Sequence, residues 1–410
     1  MTANKMLTRF LRLLALPIIV ILLIFNLRRL VLTLAIFFAP RRRVGATTNP
    51  ELPTVLILVP CRDEDQVLEG LGRALAQLDY PREKFQIVCV DDGSRDGTLA
   101  IMRRLERECE NFHTLSMLAS VGKARALNAA LAQFSFGEMI YIFDADHRPQ
   151  PNAVRVAMGY FCDAAVAGVT GRTIPSNALA SPSAYYTTIE SFVNQMITMR
   201  AKDRLDLAPA MLGSNCAYRR RALEKCGGFP PGAFLEDSEL TMRLCRAGYR
   251  LRFAEDSIAY QQVPQTASGY LRQHARWGRG FNDIARNHAL ALVRQKNVNP
   301  FLRVELLMFA LGYLDRLALL GAGMFSALSM LFPRVVRFPR AILYVALLTP
   351  FAQIIALLIE QRAPASMWLR VPFVPLFFAL DIFAALRAMF DSVLNRARVW
   401  TTTERVRDGE

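Results

Sequence analysis

Asp144 and Asp146 stand two residues apart, after the apolar run Met139 to Phe143 and before Arg148-Pro149. A short apolar run bounded by breakers predicts a buried strand. In open α/β sheets ligands bind beyond the carboxyl ends of the strands. Residues i and i+2 on a strand point to the same side, so both carboxylates would face one point. Oxygen ligands of that kind suit a hard divalent cation, Mg²⁺ or Mn²⁺, which would screen the charge of a diphosphate. Acids at a strand end also cap helices or sit in water, and Asp-x-Asp alone does not choose.

Other residues could join the same chemistry. Asp91-Asp92 precede Gly93-Ser94 at the end of a second apolar run. They can accept hydrogen bonds from a nucleobase or ribose, or cap the next helix. Glu64 follows Pro60 at the end of a first run and would enter the same crevice. Lys123 and Arg125 open a helix, where cations suit a diphosphate or form a solvated basic face. Glu236-Asp237 follow Phe234-Leu235 at a predicted helix start. Acids there are stabilised by the helix dipole; one of them could instead be a general base. Gln273, Arg276 and Trp277 lie in a basic amphipathic segment, Tyr270 to Asn287. A Trp-Arg pair there is a membrane-interface anchor or a binding element. The four histidines show no ligand spacing.

The elements that must position these residues alternate. Strands are predicted at Thr54 to Val59, Phe85 to Val90, His113 to Leu118, Met139 to Phe143 and Val166 to Thr173. Helices fall after Glu64 to about Leu78, after Ser94 to about Glu110, from Gly122, over Ala184 to Arg200 and from Glu236 to Ala247. Alternation of this kind predicts an α/β fold with a doubly wound sheet.

Apolar segments flank this region. Leu13 to Leu27 carries no charge, and Leu30 to Ala39 resumes after Arg28-Arg29. We read one membrane helix, which the second run extends or follows along the interface. Leu317 to Phe332, Ala341 to Ile359 and Val371 to Leu386, with Asp381 inside it, read as three more spans. Leu306 to Leu314 reads as interfacial or as the front of the first of these. The 410 residues are 53% hydrophobic with net charge +15. Much of the excess sits beside apolar runs, at Arg41 to Arg43, Arg334, Arg337, Arg340, Arg396 and Arg398. That placement favours a membrane surface, and no basic face interleaved with aromatics points to nucleic acid. The seven cysteines lack Cys-x-x-Cys spacing and read as mostly buried free thiols of a reducing compartment.

Taken in order, six motifs resemble the membrane-bound family 2 glycosyltransferases, the group of the cellulose, chitin and hyaluronan synthases. They are Val59 to Glu64, Asp91 to Ser94, Gly122-Lys123 with Leu127-Asn128, Asp144-Ala145-Asp146, Glu236-Asp237, and Gln273-x-x-Arg276-Trp277. The resemblance covers Leu52 to Asn287. Cys61 and Asp63 depart from the residues common in that first turn. The resemblance implies a GT-A-type nucleotide-sugar-binding domain inserted between N- and C-terminal transmembrane α-helices. It implies Glu64 and Asp92 near the uridine and Lys123 near the diphosphate. Asp144 and Asp146 would hold that diphosphate, Asp146 through Mg²⁺ or Mn²⁺. Asp237 would be the base, and Gln273, Arg276 and Trp277 would hold the diphosphate and the acceptor end. Asn215 and Cys216 would fall on the acceptor path.

The expected organisation is an N-terminal membrane segment at 1–48, the transferase domain at 49–265 and an amphipathic interface segment at 266–300. Membrane helices at 301–390 and a polar tail at 391–410 would follow. The expected activity is inverting, processive transfer from a UDP-sugar onto a β-linked polysaccharide that passes through the membrane helices. Two rivals remain: single transfer to a lipid acceptor, and an inactive membrane-anchored assembly protein. The expected location is the inner or plasma membrane, multi-pass, with the catalytic domain in the cytoplasm, the lipid bilayer as partner, no nucleic acid, and room for a second copy or an export partner. The positive-inside rule puts Arg28-Arg29 and Arg41 to Arg43 in the cytosol, but Arg334 to Arg340 and Arg396 to Arg407 cannot all join them.

Overall fold

The computed structural model describes residues 2–40 and 52–396, with side chains from residue 6 onward. Arg41 to Arg43 and residues 397–410 of the C-terminal tail, Arg398 among them, lie outside the described residues.

Eight strands form one sheet in the order β3-β2-β1-β4-β7-β6-β8-β5. They are β1 (Val55–Cys61), β2 (Phe85–Asp91), β3 (Phe112–Ser116), β4 (Met139–Ile142), β5 (Arg148–Pro149), β6 (Val166–Pro175), β7 (Cys216–Arg219) and β8 (Arg250–Gln261). The first four are parallel. β7 then runs antiparallel to β4 and β6, β8 runs parallel to β6, and β5 is antiparallel to β8. The doubly wound expectation therefore describes only the first half; the sheet as a whole is mixed. β5, β7 and β8 had no counterpart in the sequence reading. β8 carries Arg250, Arg252, Glu255 and Asp256 among its apolar residues, which breaks the alternation that would mark a strand.

β1 shows why the strands are apolar throughout: both faces of the sheet are covered. Val55, Ile57 and Val59 enter one core with α2 (Leu68–Ala76) and α3 (Thr98–Glu108). Leu56 and Leu58 enter the other, with α4 (Lys123–Gln133). α5 (Ala153–Gly159) joins the first core. The helix expected at Ala184 to Arg200 is longer: α6 (Pro182–Val193), a π-helical turn at Asn194–Met199 and α7 (Arg200–Arg204). Ser181 caps it by accepting from the Ala184 N–H. α8 (Arg220–Lys225), α9 (Glu236–Arg246) and α10 (Ala267–Arg294) complete this half, and α10 spans the amphipathic segment.

α1 (Thr2–Phe38) runs through both N-terminal apolar stretches as one helix. α11 (Pro300–Ala310), capped by Asn299, is separate from α12 (Leu314–Leu331). α13 (Arg340–Glu360), the short α14 (Ala365–Trp368) and α15 (Val374–Val393) follow. Among the described residues four helical segments are long and apolar enough to cross a bilayer: Met6–Phe38, Leu314–Leu331, Arg340–Glu360 and Ala365–Val393. Ion pairs tie them where they meet the sheet domain. Arg28 binds Glu305 at 2.8 and 2.6 Å, and Arg29 binds Asp315 at 2.6 Å.

Gly137 makes the turn into β4 with φ +90°. A Cβ there would lie 2.5 Å from the Leu56 backbone nitrogen. Gly137→Ala is expected to destabilise the protein by about 2–4 kcal/mol through left-handed strain and overpacking. The midpoint of urea unfolding of the detergent-solubilised protein checks this.

Candidate active site

The carboxyl ends of β1, β2 and β4 open into one cavity of about 870 Å³. Glu64, Asp92, Lys123, Asp144, Asp146, Asp237, Gln273, Arg276 and Trp277 all line it. The tertiary structure thus brings these nine residues together from six separate parts of the chain.

β4 stops at Ile142, so Asp144 and Asp146 lie in the turn beyond the strand rather than on its face. The turn is closed by the His147 N–H donating to Asp144 O at 3.0 Å. Convergence of the carboxylates therefore comes from the turn, not from strand alternation. His147 joins them: one ligand atom each from Asp144, Asp146 and His147 lies within 4.8 Å of the others. His147 Nδ1 is 3.2 Å from Asp146 Oδ1, and its Nε2 is buried with no hydrogen-bond partner among the described residues. Two carboxylates and an imidazole with an orphaned nitrogen fit a divalent cation. The sequence signal for His147 was only its place next to Asp146.

Lys123 is the hub of the next layer. Its Nζ donates to Asp144 Oδ1 at 2.8 Å and to Gly213 O at 3.1 Å, and lies 3.4 Å from Glu236 Oε1. Burial pulls the Lys123 pKa down, but Asp144 and Glu236 outweigh it and the net shift is up. It therefore stays a cation. Arg125 is exposed and does not line the cavity, so the solvated-face reading holds for it.

Asp92 accepts from the Val121 N–H at 2.6 Å, the Gly122 N–H at 3.0 Å and Ser120 Oγ at 2.8 Å. It holds the loop that delivers Lys123. Asp91 is a turn residue, accepting from the Ser94 N–H at 3.0 Å and Ser116 Oγ at 3.2 Å. The Glu64 N–H donates to Thr98 Oγ1 at 2.8 Å, which places Glu64 at the cavity rim. Asn128 joins α4 to the backbone of Phe229 through both amide atoms.

Asp237 begins α9, half-buried. Its Oδ1 accepts from the Ser238 N–H at 2.6 Å. Its Oδ2 lies against Gly213, where a Cβ would come within 2.9 Å. Burial and the neighbouring Glu236 push the Asp237 carboxyl up to about 7, against the pull of Lys123 and Arg276. A carboxylate poised near neutrality can take a proton from a hydroxyl.

α10 supplies the far wall. Gly280 lets Leu235 pack against its backbone, where a Cβ would sit 2.4 Å from Leu235 Cγ. That close approach sets Asp237 beside Arg276 and Trp277. Arg276 Nη1 donates to Phe234 O at 3.5 Å. Gln273 Oε1 is buried without a hydrogen-bond partner among the described residues. Trp277 rests its ring 4.8 Å from that of His274.

Asn215 and Cys216 are corrected: both are buried and neither lines the cavity. Asn215 accepts from Tyr141 Oη at 2.7 Å and donates to Ser257 O at 2.9 Å, with φ +49°. Its work is to fix the bend into β7. Sequence reasoning also missed a polar cluster of Glu190, His274 and Asp381, whose members come from three distant helices and carry no spacing signal.

The Asp144, Asp146 and His147 cluster is expected to bind Mn²⁺. Asp146→Asn should weaken Mn²⁺ affinity by about tenfold or more, in the range seen when a metal-site partner is lost. Titration followed by the EPR signal of free Mn²⁺ checks this, and unchanged affinity would remove Asp146 from the site.

Residues 53–280 match the family described as glycosyltransferase like family 2. A probable glycosyltransferase of Bacillus subtilis is 32% identical over 237 residues, 56% of this chain and 56% of that protein. The match thus spans about half the length of that relative. The cellulose synthase catalytic subunit of Pseudomonas fluorescens is 30% identical over 276 residues, 60% of this chain and 34% of that one. A mannosyltransferase of Pyrobaculum calidifontis, solved with GDP-mannose and Mn²⁺, shares the fold with TM-score 0.65 at 22% identity, over 96% of this chain and all of that one. The matched residues include the whole cavity wall from Glu64 to Trp277, and the chain belongs to glycosyltransferase family 2.

Proposed function

We propose that this glycosyltransferase moves a sugar from a UDP-sugar to an acceptor hydroxyl with inversion, building a β-linked glycan at the membrane. The observation that carries this reading is the placement of Asp237. Its carboxylate shares one cavity with the Lys123–Asp144–Asp146 layer on one side and Gln273, Arg276 and Trp277 on the other.

The steps follow from these groups. Glu64 and Asp92 lie where the nucleoside would enter, beside the first two strand ends. Lys123 and Arg276 would face the diphosphate from opposite walls and stabilise the charge that develops on the leaving group. Mg²⁺ or Mn²⁺ held by Asp144, Asp146 and His147 would withdraw further charge from the diphosphate. Asp237 would accept the proton of the attacking hydroxyl. One displacement breaks the bond from the anomeric carbon to the diphosphate as the new bond forms, so an α-linked donor gives a β-linkage. No second nucleophile is needed. Trp277 would stack on the acceptor sugar.

Processive synthesis is favoured by the continuity of the cavity. It runs from the donor end to Tyr313, Arg316 and Asp381 on the apolar helices. A product leaving Asp237 would travel along it, through a multi-pass protein of the inner or plasma membrane with its sheet domain in the cytoplasm. A second reading, single transfer to a lipid, is favoured by the cavity's apolar end at Leu22, Phe25, Ile354 and Phe378. UDP release across a panel of UDP-sugars, with GDP-mannose as a counter-donor and the product sized on a gel, separates these. Polymer supports the first reading and a single glycolipid the second; turnover of GDP-mannose alone would overturn the uridine assignment.

Asp237→Asn keeps the shape of the base and removes its function. Transfer should fall on the order of 10²- to 10⁴-fold while UDP affinity by calorimetry stays near wild type. The pH dependence follows from the raised Asp237 pKa. Only the deprotonated form takes a proton, so kcat/KM should fall tenfold per pH unit below about 7 and level off above it. Steady-state rates from pH 5 to 9 test this, and a limb centred near the ordinary aspartate value of about 4 would remove the assignment. Trp277→Ala should abolish polymer while UDP binding and membrane insertion persist; loss of both would make Trp277 an interface anchor instead.

A further inference from the structure

Asp381 is buried in the apolar run of α15 and meets no cation at ion-pair distance among the described residues. Its hydrogen bonds come from two hydroxyls, Tyr186 Oη at 3.0 Å and Tyr270 Oη. An ionisable side chain inside an apolar helix is costly to keep and marks a functional position by default. Two groups from other helices converge on it. Glu190 of α6 and His274 of α10 bring ligand atoms that lie within 4.8 Å of its own and of each other.

The hydrogen bonds say what these three groups need. His274 Nδ1 is 3.0 Å from Tyr270 O, and a carbonyl only accepts, so Nδ1 carries a hydrogen. In a neutral imidazole Nε2 is then a lone pair. It faces Glu190 Oε2 at 2.8 Å, so two acceptors meet with nothing to share unless a cation joins them. A proton there would serve His274 and Glu190 and leave Asp381 uncompensated. A divalent ion serves all three. Two carboxylates and one imidazole are a ligand set for a first-row divalent ion.

The layer outside these ligands is also in place. Ligating histidines donate their other N–H to a carbonyl or carboxylate, and ligating carboxylates are themselves hydrogen-bonded. Tyr270 O holds His274, while Tyr186 and Tyr270 hydroxyls hold Asp381. Arg316 stands 3.8 Å from Glu190 Oε1, the oxygen turned away from His274, and is itself paired with Asp315 at 3.0 Å. Its charge therefore lies on the outer side of Glu190.

We infer that Glu190, His274 and Asp381 bind a second divalent transition-metal ion, separate from the Asp144–Asp146–His147 cluster. The ion would pin α6, α10 and α15 to one another. His274 lies between Gln273 and Arg276 on α10, with its ring 4.8 Å from that of Trp277, so the ion would fix the helix that carries the far wall of the cavity. This is a structural metal, and it does not depend on which donor or acceptor the enzyme uses.

The test counts metal rather than activity. Tag-free full chain in nanodiscs of neutral lipid is stripped with EDTA, equilibrated with Zn²⁺, desalted and assayed by mass spectrometry of the metal. Asp146→Asn weakens the other cluster, so counts in that background report the second site. Asp146→Asn should hold one Zn²⁺ per chain more than the same protein carrying His274→Gln or Glu190→Gln. Zinc on thiols elsewhere is common to all of them and cancels. By calorimetry, either added substitution should weaken that site at least about tenfold, the least that losing a metal-site partner costs. Equal counts in all three proteins overturn the inference and leave His274 and Glu190 sharing a proton. Where the added substitutions prevent folding, Co²⁺ reads the site in Asp146→Asn alone. Bound Co²⁺ with d–d bands and no thiolate charge-transfer band supports the inference; no bound Co²⁺, or a thiolate band alone, overturns it. A wild-type protein that loses its metal through His274→Gln but not through Asp146→Asn supports this site and removes the other.

Discussion

One buried ammonium holds the site together. Lys123 reaches Asp144 beyond β4, Gly213 O before β7 and Glu236 at the start of α9. Four carboxylates, Asp144, Asp146, Glu236 and Asp237, line the cavity around it. Like charges this close in a poorly hydrated space raise one another's pKa unless cations intervene. Lys123 offsets part of the repulsion, with help from Arg276, and Asp237, whose Oδ1 accepts from the Ser238 N–H, keeps a net upward push from burial and Glu236. The same deficit of positive charge makes the Asp144–Asp146–His147 end receptive to a cation.

The sheet serves this arrangement by ending its strands at one edge. β1, β2 and β4 are parallel neighbours, so Glu64, Asp92 and Asp144 leave the sheet on the same side. β7 reverses direction beside β4, and the Gly213–Ser214 turn leading into it comes to lie against Asp144. The Asp144 N–H donates to Ser214 Oγ at 2.8 Å, which ties the two turns. A wholly parallel sheet would have put that turn at the opposite edge.

α10 is the joint between the sheet domain and the apolar helices. Gly280 lets it approach Leu235, and Gly278 lets it approach Tyr313 and Ala388, where a Cβ would lie 2.7 Å from Ala388 Cβ. One helix thus fixes Trp277 relative to both Asp237 and α15. The ion pairs of Arg28 and Arg29 brace α1 against the same region. The cavity and the apolar helices are coupled through packing at small residues and through compensated charge.

The sequence by itself determined the first half of the fold and most of the polar residues that gather at the strand ends of the cavity. Continuous apolar runs ending in acids marked β1, β2 and β4, because strands covered on both faces must be apolar and their ends alone can be charged. The long apolar stretches marked the candidate spans for the same reason of solvent matching. Gln273, Arg276 and Trp277 were legible from their composition and order within one helix. Tertiary structure alone decided the rest. β7 and β8 pair in a mixed second half whose charged residues hide strand periodicity. Asn215, expected on the acceptor path, became a buried linchpin because its amide finds Tyr141, Arg172 and Ser257 only after folding. His147 and the Glu190–His274–Asp381 cluster gain meaning from distances between helices and turns that no local spacing encodes. The raised pKa of Asp237 likewise arises from burial and from Glu236 held beside it, two conditions that exist only in the folded chain.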